Sequence, residues 1–409
     1  MSAMSHVWRV ARPLQDGSLY VLLFLLPFSK AAVEITFGLL LIGWILERLN
    51  PTTRLQTVWL SSDLRPLALS IVAYLSVCAL SIAISDFPMH SVQGLIDKWL
   101  EYVLFTVIVA DISRRSSVVN RGVSLMAWSS LCVAIQAVAQ EAFVTRHWTL
   151  HPASSYHRMT GPYSNPIDLA TYLMVLIPIL GGFSMHRRGL RRTGLWMLLL
   201  ILTACLARTE ALGAWMGLWV GLMVVMFQEA KIRRVAWVLL IGSVLACGIF
   251  LGRAGHFAKI SSMSDIGKVD RLVMWQAAIR MIKDRPILGH GLNTFMANYL
   301  RYWVGGERAP RYAHNCYLQV AAETGLVGLV AFVVLLALLF QRLMHTMRRL
   351  SRDRKMILSG CVAGLLAFAF QAGLDTNFYS LRQCALFWVL SGMALGLYER
   401  DTAPTGDAS

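Results

Sequence analysis

Residues 316–341 read CYLQVAAETGLVGLVAFVVLLALLFQ. Glu323 is the single charged residue among them. A run of this length and composition predicts a helix that crosses a bilayer, because about 20 residues rising 1.5 Å each span the hydrocarbon. Similar apolar runs, parted by charged or Gly/Pro-marked breaks, lie at 18–30, 32–47, 66–85, 93–112, 120–142, 166–184, 193–207, 210–228, 235–252, 357–374 and 381–398. The pattern predicts an all-α, polytopic integral membrane protein with about 12 transmembrane helices. Composition agrees. Of 409 residues, 56% are hydrophobic and 15% charged, and the mean hydropathy is +0.57. A soluble domain has about 45–50% apolar and about 25% charged residues. An ordinary cytosolic enzyme, a disordered chain and a secreted disulfide scaffold are all excluded. The first run, Leu19 to Phe28, is followed at once by another, so it reads as a retained first span.

Basic residues orient the bundle. With the N-terminus inside, the cytoplasmic segments hold 22 Lys and Arg, including Arg187, Arg188, Arg191 and Arg192, and Arg342 to Lys355. The short outer loops hold five: Lys30, Arg146, Arg158, Arg208 and Arg382. This asymmetry predicts both termini on the cytoplasmic side. The expected organisation is helices 1–9 over 1–252, an outer loop over 253–315, helices 10–12 over 316–398 and a disordered cytoplasmic tail over 399–409. The seven cysteines are scattered singly, which suggests neither a metal site nor a disulfide framework. The net charge of +16 follows from topology rather than nucleic-acid binding.

The 253–315 loop is the exception. It carries ten Lys and Arg against four acids, Asp265, Asp270, Asp284 and Glu307. Such an excess fits either attraction to lipid headgroups or a site for an anionic substrate. Within it, Asp270 can cap an amphipathic helix near 270–284, with Leu272, Trp275, Ile279 and Ile282 on one face. Arg285-Pro286 should stop that helix, and Gly289-His290-Gly291 should form the next turn. Such a helix lies on the membrane surface or roofs a cavity.

Five positions around this loop can carry chemistry. Arg208, at the outer end of the seventh run, either pairs with Glu210 or forks onto phosphate oxygens. Arg271 opens the predicted loop helix, beside free N–H groups that favour an anion, or else pairs with Asp270. His314 ends the loop at the mouth of a span, where a neutral imidazole can take a proton from a hydroxyl. Arg158, before the sixth run, is a loop arginine or a substrate contact. Glu323, on the same face as Gln319, reads as a structural polar contact. Asp375 and Arg382 flank the last outer turn, where they can pair with each other.

The segments Arg271-Leu272-Val273-Met274-Trp275-Gln276-Ala277-Ala278, Asp284 to Gly291, His314-Asn315-Cys316-Tyr317-Leu318-Gln319 and Glu323-Thr324-Gly325 resemble the signature of the O-antigen ligase and polymerase superfamily. Size and span plan are most similar to the lipopolysaccharide O-antigen ligases. The resemblance implies a GT-C-like fold and transfer of a glycan from undecaprenyl pyrophosphate to a sugar hydroxyl of lipid A–core. It places the reaction at the periplasmic face of the inner membrane of a Gram-negative bacterium, with no cofactor and no metal. On it, His314 is the catalytic base and Arg208 and Arg271 bind pyrophosphate. Arg158, Asn315, Arg285 and Arg311 are further candidate substrate contacts. Family members often have serine before the first of these arginines; here Ala207 stands there. The rival readings are an O-antigen polymerase or a protein O-oligosaccharyltransferase using the same donor. A polyprenyl-glycan flippase, which needs no base, is the rival of another class.

Overall fold

The computed structural model describes residues 3–49, 59, 63–147, 158–185, 187–226, 230–253, 266–305 and 312–397. Helices and turns make up the described chain, and no strand occurs among the described residues. The long helices are α1 (Ala3–Leu25), α2 (Lys30–Arg48), α3 (Arg65–Ala83), the segment α4 (Pro88–Gly94) to α5 (Glu101–Ser113), α6 (Ser116–His147), α7 (Pro166–Ser184), α8 (Gly189–Arg208), α9 (Leu212–Met226) and α10 (Ala230–Arg253). The loop contributes α11 (Ile266–Asp284) and the short α12 (Phe295–Asn298). They are followed by α13 (Cys316–Arg349), α14 (Arg352–Gln371) and α15 (Leu381–Gly396).

Each predicted apolar run falls on a helix. The closest pairs are separated by local chemistry. Ser29 caps α2 by accepting from the Ala32 N–H at 3.2 Å. Between α8 and α9 the chain turns at Glu210, whose φ is +56°. The run at 93–112 is not one regular helix: a π-helical turn, Leu95–Leu100, joins α4 to α5 and contains Lys98. Among the described residues, five helices are long and apolar enough to cross a membrane: α3, the 117–143 part of α6, α7, α8 and α13. α9 and α15 are shorter apolar helices. The fold is that of a multi-pass helical membrane protein. The expected tail over 399–409 lies outside the described residues.

At the centre is α7, whose residues from Leu169 to Ser184 are all buried. It packs on α14 through glycines that let backbones touch. A Cβ on Gly360 would sit 2.4 Å from the Pro178 carbonyl oxygen, and one on Gly182 would sit 2.2 Å from that of Met356. Close approach of this kind suits a bilayer, where packing rather than water exclusion holds helices together. The ion pairs Arg115–Asp16 and Arg342–Asp63 tie segments far apart in sequence.

The loop helix departs from expectation twice. It begins at Ile266, so Asp270 lies inside it and does not cap it, and Arg271 sits in its second turn. Asp can cap a helix or lie within one, and Ile266 and Val269 continue the apolar spacing upstream. Its packed face is Met274, Ala277, Ala278 and Met281, against Phe295, Tyr299 and Ala322. Leu272 and Ile279, on the apolar face that the sequence marks, are 51% and 42% exposed. The helix carries two apolar stripes, and the slimmer Met/Ala stripe allows the closer packing. The helix stops at Asp284, before Arg285-Pro286, as the sequence predicts.

The next turn is fastened to α13. Gly325 breaks the latter with φ +71° and ψ −178°. Freed backbone groups are taken up by the loop: the Leu326 N–H donates to Pro286 O at 2.8 Å, and the Gly291 N–H donates to Glu323 O at 2.8 Å. Glu323 is buried as the structural contact its spacing predicts. Its carboxylate accepts from the N–H groups of Asn293 (2.8 Å) and Phe295 (3.2 Å), from the Tyr379 hydroxyl (2.9 Å) and from Gln319 Nε2 (3.1 Å). The loop and the broken helix are thus one joint.

Candidate active site

His314 ends the loop with φ +48°, a strained backbone for a non-glycine residue. It is held from both sides. The Ala313 N–H donates to Gln319 Oε1 at 3.2 Å, and the Cys316 N–H donates to Ala372 O at 2.7 Å. Asn315 caps α13, its side chain accepting from the Leu318 N–H at 3.0 Å. That bond gives Asn315 a structural task beside its candidate substrate role.

The His314 imidazole Nδ1 lies 3.0 Å from Asp375 Oδ1. A carboxylate only accepts, so Nδ1 is the donor in this contact, and in a neutral imidazole Nε2 then carries the lone pair. Asp375 is fixed in turn: Cys316 Sγ donates to its carbonyl oxygen at 3.1 Å. The sequence pairing of Asp375 with Arg382 is therefore corrected. Arg382 turns away, donating to Pro27 O (2.7 Å) and Pro162 O (3.2 Å) with its guanidinium 4.2 Å over the Tyr163 ring. A cation that can satisfy two buried carbonyls has less use for a carboxylate already engaged by histidine.

Asp375 lines a cavity of about 400 Å³. The same wall carries Arg158, Arg271, Glu210, Gln371 and the start of α9. Two candidate arginines from distant segments thus face one space. Arg271 forms no ion pair among the described residues. Its position in the second turn of α11 removes it from the free N–H groups at the helix start. Arg271 thus offers the cavity a side chain without those backbone donors. Arg158 is seated by its Nε, which donates to Thr209 O at 2.7 Å, and by the Met159 N–H, which donates to Arg208 O at 3.1 Å.

Arg208 has a partner that the sequence does not announce. Its guanidinium pairs with Glu141 of α6. It stands beside the cavity, two residues before Glu210, but its side chain is not part of the lining. Glu141 reaches it because α6 runs past the end of α8, a contact 67 positions away in sequence.

The remaining candidates lie apart. Arg285 donates to Ile84 O at 3.0 Å and pairs with Asp86 at 3.0 Å, bracing the loop against the turn after α3. Arg311 lies outside the described residues. Lys98, met in the sequence as an isolated charge in a span, donates to Asn293 Oδ1 at 2.8 Å and lies 5.7 Å from the Tyr379 ring centre. It belongs to the Glu323 network beneath the loop. The Tyr312 hydroxyl, near that network, has its pKa raised by burial and by Glu323.

Two comparisons with known proteins bear on the chain. Residues 197–333 match the family model described as O-antigen ligase. That stretch holds Arg208, Arg271, His314 and the Glu323–Gly325 joint. The exopolysaccharide production protein ExoQ of Rhizobium meliloti (strain 1021) is 31% identical over 133 residues, 28% of this chain. The match spans 27% of that relative's length. The structure is that of a multi-pass helical membrane protein with a cavity lined by two arginines and two carboxylates beside a His–Asp pair. Its resemblance to the O-antigen ligase and polymerase superfamily is supported by both comparisons.

Proposed function

We propose that this chain is an O-antigen ligase. It transfers glycan from undecaprenyl pyrophosphate to a sugar hydroxyl of lipid A–core, at the periplasmic face of the inner membrane, through twelve spans with both termini cytoplasmic. The observation that carries the reading is the cavity wall shared by Arg158, Arg271 and Asp375, with His314 held 3.0 Å from Asp375.

The donor sugar bears pyrophosphate at its anomeric carbon. Transfer needs the acceptor hydroxyl to lose a proton and the leaving group to keep its growing charge. His314 Nε2 takes that proton, and the resulting imidazolium is steadied by Asp375 through Nδ1. General-base help of this kind is worth about 10²- to 10⁴-fold. Arg271 and Arg158 hold the pyrophosphate, and Arg208 joins them from beside the cavity by exchanging Glu141 for phosphate oxygens. Fixed cations aimed where charge develops act in a site already organised for it. Direct displacement inverts the anomeric carbon. The residues named suffice for this step without a cofactor.

Similarity to an exopolysaccharide production protein favours a second reading, a polymerase whose acceptor is a growing lipid-linked glycan. Purified protein given lipid-linked donor with either lipid A–core or a second donor molecule separates the two. Consumption of lipid A–core supports the ligase. Exclusive chain growth on the donor overturns it.

A further inference from the structure

The arginines at the start of α8 stand at the other end of that helix from Arg208 and play no part in the site above. Between α6, the end of α7 and the first half of α8 lies a separate groove of about 640 Å³. Arg187 and Arg191 line one end of it, and Leu131, Leu198 and Ile201 line its length. Neither arginine forms an ion pair among the described residues. Arg187 is held with its guanidinium 4.4 Å over the Phe183 ring. α8 starts at Gly189 without a side-chain cap, so its first N–H groups add positive potential at the same end.

The groove's dimensions suit a lipid. From Arg191 to Ile201 the helix rises about 15 Å. That is half of a hydrocarbon core about 30 Å thick, the depth of one leaflet. A free phosphate has no use for the apolar wall, and a neutral lipid has none for two arginines. We propose that this groove binds one anionic two-chain phospholipid, its headgroup phosphate on Arg187 and Arg191 and an acyl chain along Leu198 and Ile201. The proposal rests on the membrane-spanning fold and not on the catalytic reading.

Gly194 supplies the test, because it lines the groove and a Cβ built on it meets nothing within 4 Å. Leucine there starts into the groove from a Cβ that strikes nothing. Full-length protein in neutral detergent is mixed with phosphatidylglycerol or phosphatidylcholine and examined by native mass spectrometry. Wild type should keep one phosphatidylglycerol about tenfold more than phosphatidylcholine, since two arginines meet the anionic headgroup. Gly194→Leu should lose that lipid while unfolding at the wild-type temperature. The double variant Arg187→Gln/Arg191→Gln should lose the headgroup preference, and it serves as the readout if Gly194→Leu does not fold. Equal retention of both lipids by wild type, or undiminished binding by Gly194→Leu, overturns the proposal. So does displacement of phosphatidylglycerol by equimolar undecaprenyl phosphate, which would make the groove a polyprenyl site.

Discussion

His314 and Asp375 are 61 residues apart in sequence and 3.0 Å apart in the fold. Cys316 and Ala372 clamp the two segments together, so the pair is set by the joint between α13 and the turn after α14. The carboxylate fixes which imidazole nitrogen carries the hydrogen. The proposed base depends on a residue that no local motif announces.

Removing the base tests the mechanism directly. His314→Ala should lower transfer by about 10²- to 10⁴-fold while the protein still inserts. Ladder-modified lipopolysaccharide at wild-type levels in cells carrying this variant would refute the assignment.

In the proposed mechanism Asp375 positions His314, and its loss should leave a different trace. Asp375→Asn can hold either imidazole tautomer and cannot steady the imidazolium by charge. The expected result is a fall in kcat of about 10²-fold or more with little change in donor KM. Asp375→Glu should recover part of the rate. An equal rise in KM for both variants would assign Asp375 to substrate binding instead.

The arginines should separate by their places in the cavity. Arg271→Lys should lose most activity, because a point charge cannot fork onto two oxygens. Glu141→Gln weakens the hold on Arg208 and should lower the donor KM if that guanidinium moves to pyrophosphate. An unchanged KM in Glu141→Gln would leave Arg208 as a structural ion pair.

Gly325 is where the loop and the bundle meet. A Cβ there would lie 2.0 Å from the Ile287 carbonyl oxygen, and φ is +71°. Gly325→Ala should destabilise the fold by at least about 1–3 kcal/mol from backbone strain alone. A lowered thermal unfolding temperature in detergent is the measurement. An unchanged one would show that the loop can lift off α13 without cost.

The same joint predicts a pH effect. His290 is fully buried, and burial, with Arg285 adding to it, holds its pKa below the ordinary 6.5. The unfolded chain takes the proton more readily than the fold does. The stability contribution is therefore complete above pH 6.5 and is lost as pH falls through the depressed folded value. The unfolding temperature should decline below pH 6.5, and His290→Gln should flatten that decline. Identical profiles would remove His290 from the account.

The sequence by itself determined the helical, membrane-spanning character. In hydrocarbon a lone segment must satisfy its own backbone, so an apolar run of sufficient length becomes a helix whatever its neighbours. It also marked the helix break at Arg285-Pro286, the basic loop and the candidate role of His314, because these are statements about adjacent residues. Tertiary structure alone decided that Asp375 serves His314 and Arg382 does not pair with it. It also decided that Arg158 joins Arg271 on one wall, that Arg208 leans on Glu141, and that α11 packs its Met/Ala stripe. Each of these depends on which helices lie side by side. A period of 3.6 residues shows where a side chain sits around its own helix, while the partner it meets is chosen by close packing between segments far apart in the chain.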